Sequence, residues 1–266
     1  MKRISILSAA MILMAAAVLS SCGSVALTGR KQLLLVSDQE VYQAGLIQYN
    51  EYIASSQLSS NSSATSMVKS VGQKLATATE QYLKNNGLES ELSNFAWEFN
   101  LVKDDQVNAF CMPGGKIVVY EGLLTVAQTE DELAVVIGHE IAHAVAKHSN
   151  ERMSQQMMAE YGAAILSQAL SQKSAAVQSA ATSVFGLGAQ VGFMLPYSRK
   201  HEYEADYMGI VFMEMAGYNS ESAVDFWTKM SAGGGSKSDF LSTHPSDDKR
   251  IAQIKSRIPE AKKYSK

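Results

Sequence analysis

The chain has 266 residues, with 23 Lys and Arg against 26 Asp and Glu, 46% hydrophobic residues and two cysteines. That length accommodates one domain with a full core. The overall charge of −3 argues against a phosphate-backbone binder, which carries a basic excess or stripe. The apolar content argues against disorder, and two cysteines cannot build a small disulfide-stapled fold.

Lys2 and Arg3 precede a 16-residue apolar run, Ile4 to Leu19, which ends at Leu19-Ser20-Ser21-Cys22. A charged start, a short apolar stretch and small residues at its end describe a secretory signal. The run is shorter than the roughly 20 residues that a membrane-spanning helix needs. The ending resembles the bacterial lipobox, so residues 1–21 are expected as a signal peptide, Cys22 as the lipidated residue and 22–36 as a tether. An uncut anchor, or an ordinary signal with an incidental cysteine, is the alternative. Gly23 in place of an inner-membrane retention aspartate leans towards an outer membrane, facing the periplasm.

Along the body, Ser37 to Glu40 reads as a capping box that opens a helix. An apolar patch, Leu33 to Val36, reads as a short strand. Ser55 to Ser66 reads as a loop, and Val68, Val71, Leu75, Ala78 and Tyr82 as one helical stripe that stops at Asn85-Asn86-Gly87. Phe95, Trp97, Phe99 and Leu101 alternate like a half-buried strand. A further pair, Asn108 to Met112 and Lys116 to Tyr120, flanks the turn Pro113-Gly114-Gly115. Cys111 lies in that pair and reads as a small buried hydrophobe. Thr129 to Glu132 is a second capping box, before a dense helix that runs to about Lys147. Residues 154–198 carry only Glu160 and Lys173 as charged residues before Arg199 and read as a helical hairpin, packed on the body or facing lipid. Helices are expected over about 200–215, from near Ser220 to before Gly233-Gly234-Gly235, and over Ser246 to Ile258. The triple glycine reads as a mobile loop.

The helix after Thr129 contains His139-Glu140-Ile141-Ala142-His143. Residues four apart share a helix face, so both imidazoles can reach one ion. Glu140 is rotated towards the open coordination position, where it can take a proton from water. Zinc suits such nitrogen and oxygen donors, and a catalytic site needs one more protein ligand. Glu202 and Asp206, one turn apart in a later helix, suit a ligand carboxylate and a carboxylate that orients a ligating histidine. On that face His201 and Glu204 point elsewhere. His148, five residues beyond His143, reads as a solvated helix end.

His-Glu-x-x-His followed about sixty residues later by Ser-Arg-x-x-Glu-x-x-Ala-Asp resembles the gluzincin zinc metallopeptidases of the CaaX prenyl endoprotease and HtpX. The soluble periplasmic branch with the BepA and LoiP lipoproteins is most similar. The resemblance implies an α+β zincin-like fold, mostly helical with a small sheet beside the metal-binding helix, over 37–266. It implies one zinc held by His139, His143 and Glu202, with Glu140 as general base and Asp206 as the supporting aspartate. Asn108-Ala109-Phe110 matches the edge strand that holds substrate backbone by strand addition, and Thr243-His244-Pro245 with Arg250 matches a C-terminal element. His244 has three open readings: a structural residue, a stabiliser of the oxyanion, or an occupant of the fourth zinc position that keeps the enzyme latent.

The expected protein is therefore a lipid-anchored zinc endopeptidase of the bacterial envelope, a minimal catalytic unit without transmembrane helices or a helical-repeat tail. Its expected partners are unfolded or misassembled envelope proteins and the membrane, with no nucleic acid or nucleotide. The competing reading is an envelope chaperone that binds extended segments without cutting them, and the intact Glu140 argues against it.

Overall fold

The computed structural model describes residues 22–179, 181, 183, 195–232, 240, 241, 244 and 248–265. The expected signal peptide, the triple glycine, Thr243, Pro245 and much of the second arm of the 154–198 hairpin lie outside the described residues.

The chain opens with strands β1 (Cys22–Ser24) and β2 (Lys31–Leu33), an antiparallel pair. The stretch expected as a tether is thus a folded hairpin, with Val25 and Gln32 buried. The strand itself falls earlier than Leu33 to Val36, because its Gly23–Gln32 register is set by the turn at 26–29. Helix α1 (Asp38–Ser55) begins at Ser37, whose hydroxyl accepts from Glu40 N while the Glu40 carboxylate accepts from Ser37 N, as the capping box requires. Helix α2 (Ser62–Asn85) starts inside the serine-rich stretch, because the Asn61 side chain caps it by accepting from Ala64 N at 3.0 Å. It ends at Gly87, whose φ of +72° suits glycine.

Strands β3 (Glu98–Val102), β4 (Ala109–Met112) and β5 (Lys116–Tyr120) form one sheet in the order β3-β5-β4. β5 runs parallel to β3 and antiparallel to β4, so β4 is an edge strand. Helix α3 (Glu130–Val145) packs behind β4. Its Leu133, Ala134, Val136, Ile137, Ile141 and Ala142 are fully buried, each large one contributing roughly 1.5–3 kcal/mol. A helix apolar on every side belongs inside the molecule, and α3 lies between α2, the sheet and α5 (Leu195–Ala216). Thr129 caps α3, accepting from Glu132 N at 3.2 Å, while the Glu132 carboxylate accepts from Gln128 N, one residue before the amide that a strict capping box would use.

Helix α4 (His148–Ala169) follows α3 after a break at Lys147, whose φ is +56°. Its outer face exposes Tyr161 and Ile165. Helices α6 (Ser222–Ala232) and α7 (Asp248–Ala261) pack against α5 and each other or against α3. Among the described residues, no helix is long and apolar enough to cross a membrane.

The backbones of α3 and α5 approach each other closely. A Cβ on Gly138 would lie 3.1 Å from the Gly209 carbonyl oxygen, and one on Gly209 would lie 3.0 Å from His139 N. The obstacle is backbone on both sides, so it cannot swing away. Gly209→Ala is therefore expected to destabilise the fold by about 1–2 kcal/mol, overpacking outweighing the gain in helix propensity. Denaturant unfolding at fixed zinc concentration checks this.

Candidate active site

The α3–α5 contact brings two turns of each helix face to face. From α3 come His139 and His143, and from α5 come Glu202 and Asp206, all less than 9% exposed. His244 reaches the same place from the C-terminal side. Ligand atoms of His139, His143, Glu202 and His244 lie within 4.8 Å of one another. His139 Nε2 stands 3.0 Å from His143 Nε2, 3.1 Å from His244 Nδ1 and 3.3 Å from Glu202 Oε2. Glu202 Oε1 is 3.4 Å from His143 Nε2, and Oε2 is 2.9 Å from His244 Nδ1.

These separations fit a metal. Zinc bonds of about 2.0–2.1 Å in a tetrahedron place neighbouring ligand atoms about 3.3 Å apart. The chemistry agrees, because imidazole lone pairs and a carboxylate that converge in a buried space need a cation or a proton between them. Burial alone would lower His139, but hydrogen bonds to Asp206 and Glu202 outweigh it and hold that ring up at about 9. His143 is pushed down to about 3, chiefly by burial. Burial would raise Glu202, yet the surrounding imidazoles keep it far below its ordinary value and ionised. Metal and protons compete for the same lone pairs at such a site.

Glu140 lies beside this donor set, 3% exposed. Its Oε1 makes no hydrogen bond among the described residues, and His244 Nε2, at 3.4 Å, is a charge neighbour only. Burial raises the Glu140 carboxyl above its ordinary value, which strengthens it as a proton acceptor.

Asp206 accepts from His139 Nδ1 at 3.0 Å and is itself gripped by Arg250 through bonds of 2.6 and 2.8 Å. Arg250 is 1% exposed, lies 3.7 Å above the Trp227 ring and donates to the His244 carbonyl at 3.0 Å. His244 also rests against Phe240, with ring centroids 4.6 Å apart.

The strand Asn108-Ala109-Phe110 is placed beside the site with one refinement. Asn108 O accepts from Tyr120 N at 3.1 Å. Alternation in an antiparallel ladder then turns the backbone groups of Ala109 and Cys111, and not those of Phe110, to the open edge. The Cys111 amide also lowers the Glu140 carboxyl by hydrogen bonding. The Cys111 thiol itself is pushed well up by burial, with the Glu140 charge adding, so it stays protonated.

His148 is not a solvated end. It is fully buried, with Nδ1 2.8 Å from His143 Nδ1. The helical spacing that turned it away does not hold, because the left-handed Lys147 ends α3 and reverses the chain. His201 and Glu204 do point away from the donor set, but into a second polar cluster: His201 bonds Glu151 at 2.9 Å and Glu204 bonds His148 at 3.0 Å.

Residues 63–258 match Peptidase family M48. The chain belongs to that family. Its members are zinc-dependent metallopeptidases, and the mostly helical fold with a small sheet agrees with the zincin-like class. The mitochondrial metalloendopeptidase OMA1 of Schizosaccharomyces pombe is 38% identical over 182 residues, 65% of this chain and 50% of the relative. The Arabidopsis thaliana protein of that name is 39% identical over 168 residues, 63% of this chain and 33% of the relative. The beta-barrel assembly-enhancing protease of Yersinia pestis is 29% identical over 178 residues, 63% of this chain and 36% of the relative. The chain thus spans half or less of the length of these relatives. The two mitochondrial enzymes match at clearly higher identity, which overturns the expectation of a bacterial outer-membrane lipoprotein that faces the periplasm.

Replacing Arg250 by Met would leave the buried Asp206 carboxylate without its cation. Loss of one partner from a buried ion pair costs about 3–5 kcal/mol, so Arg250→Met is expected to unfold at a much lower denaturant concentration. A parallel Asp206→Asn/Arg250→Met variant should recover part of that loss.

Proposed function

We propose that this M48 metallopeptidase is an endopeptidase that binds one zinc through His139, His143 and Glu202 and uses Glu140 as general base. The observation that carries this reading is the buried carboxylate of Glu140, with Oε1 unpartnered among the described residues, beside donor atoms spaced as a zinc tetrahedron. Zinc at those donors would polarise the scissile carbonyl and acidify a water. Glu140 takes the proton from the attacking water and delivers it to the leaving amide nitrogen. Asp206 keeps the His139 proton on Nδ1 and so leaves Nε2 free as a ligand. A substrate strand adds to the open edge of β4, paired through the backbone of Ala109 and the Cys111 carbonyl, which aligns its carbonyl with Glu140.

His244 takes the fourth, latent position in this reading, supported by the Nδ1 distances to Glu202 and His139. It must withdraw before a substrate carbonyl can enter, so the resting enzyme is slow. Substrates are unfolded or misassembled polypeptides, because only an extended chain can pair with a strand edge.

Glu140→Gln is expected to keep one zinc per chain and lose casein cleavage by about 10²–10⁴-fold. Metal analysis alongside proteolysis decides it: no zinc in the wild type would sink the metal site, and equal cleavage by the variant would sink the general base. His244→Ala is expected to keep its zinc and cleave faster than the wild type. Slower cleavage with intact zinc would instead make His244 an oxyanion stabiliser.

A further inference from the structure

His139 is oriented by a carboxylate from α5 that an arginine holds. His143 has a comparable support, and it leads out of the matched family region to the N-terminal hairpin. His143 presents Nε2 to the donor set and turns Nδ1 to His148 Nδ1 at 2.8 Å. His148, on its far side, meets Glu204 Oε2 through Nε2 at 3.0 Å. Glu204 accepts from Arg30 Nε at 2.7 Å and from the Thr28 hydroxyl at 2.5 Å.

Only one arrangement of protons along this chain leaves the His143 Nε2 lone pair for a metal. The His143 proton must sit on Nδ1 and be donated to His148 Nδ1. His148 must then carry its own proton on Nε2 and donate it to Glu204. Which ring nitrogen is free to bind metal is set by the bond that the other one makes. The geometry is built to hold that arrangement in place. His148 is fully buried and stacks on His201 at 4.2 Å with an interplanar angle of 14°. Arg30 also binds Glu151 with two bonds, of 2.9 and 2.7 Å, so its guanidinium is fixed in a fork between two buried carboxylates.

We propose that Arg30 and Thr28 are positioning residues for the zinc ligand His143, acting through Glu204 and His148. Both precede residue 63, where the family match begins, so a segment outside the matched region completes the active site. Neither touches the substrate or the reacting atoms. The inference rests on the reading of His139, His143 and Glu202 as zinc ligands.

The test measures zinc affinity of the full chain by competition with a chromogenic chelator, together with kcat and KM on a peptide substrate. The variants are Arg30→Gln, Arg30→Lys, Thr28→Val, His148→Leu and the double variant Arg30→Gln/His148→Leu. Loss of a residue that supports a metal ligand costs about 10–100-fold in affinity. Arg30→Gln and His148→Leu should each weaken zinc binding by about 10-fold or more and lower kcat with KM nearly unchanged. Arg30→Lys, which keeps the charge without the fork, should recover part of the loss. The double variant should lose no more than the worse single one, because both act along one chain of contacts. Affinity within about twofold of the wild type in Arg30→Gln, or losses that multiply in the double variant, would overturn the proposal. If Arg30→Gln does not fold, as judged by far-UV circular dichroism, Thr28→Val and His148→Leu decide: weaker zinc in both supports it, and unchanged zinc in either overturns it. A wild type that binds no zinc, or a His143→Ala variant that binds it normally, would instead refute the ligand assignment itself.

Discussion

The contact between Gly138 and Gly209 is the constraint on which the rest of the site depends. Two helices can present four short-reach polar side chains to one point only if their backbones come very close. Two glycines at the crossing, with backbone atoms about 3 Å from where a Cβ would stand, allow that approach. Everything at the centre is then a matter of turns counted from the crossing. His139 follows Gly138 directly and His143 lies one turn on, while Asp206 and Glu202 lie one and two turns back from Gly209. Small residues here act as spacers that fix how far apart donor atoms stand.

Bringing ionisable groups together out of water is costly unless each finds a partner. The structure meets that cost with arginines taken from the two ends of the chain. α5 carries acidic residues at 202, 204 and 206, and its pitch sends them to different places: Glu202 and Asp206 to the α3 side, Glu204 to α4 and the hairpin. Arg250 from α7 neutralises Asp206, and Arg30 from the hairpin neutralises Glu204. A helix with alternating acids thus serves as a distribution bar between the metal site and both termini. This also explains why the N-terminal stretch folds against the body and does not hang as a tether: Arg30 has two buried carboxylates to reach.

The central residues were legible because their chemistry depends on spacing within one helix. His139, Glu140 and His143 need only a 3.6-residue pitch to be read, and Glu202 with Asp206 needs no more. The capping residues Ser37 and Thr129 and the alternation of β3 are likewise local signals. The supports were not legible for a matching reason. His148 is turned inward by a left-handed Lys147, a conformation with no glycine to announce it. Arg30 and Glu204 are 174 residues apart, and nothing in either neighbourhood marks the other. The orientation of the β4 edge depends on the Asn108–Tyr120 pairing, which fixes which backbone groups are spent on β5. The outer-membrane assignment failed because a short N-terminal pattern was asked to locate a protein whose body is more similar to mitochondrial enzymes.

Arg250 holds two things at once, the Asp206 carboxylate by two bonds and the His244 carbonyl by a third, while its flat face lies on Trp227. These ties are unequal. Loss of the bond to the His244 carbonyl would cost Arg250 one neutral acceptor, worth about 1 kcal/mol net, and leave the ion pair and the stacked ring in place. The guanidinium therefore stays fixed on Asp206 and Trp227 whether or not it also holds the His244 carbonyl, and the His139 Nδ1 side of the centre keeps its support either way.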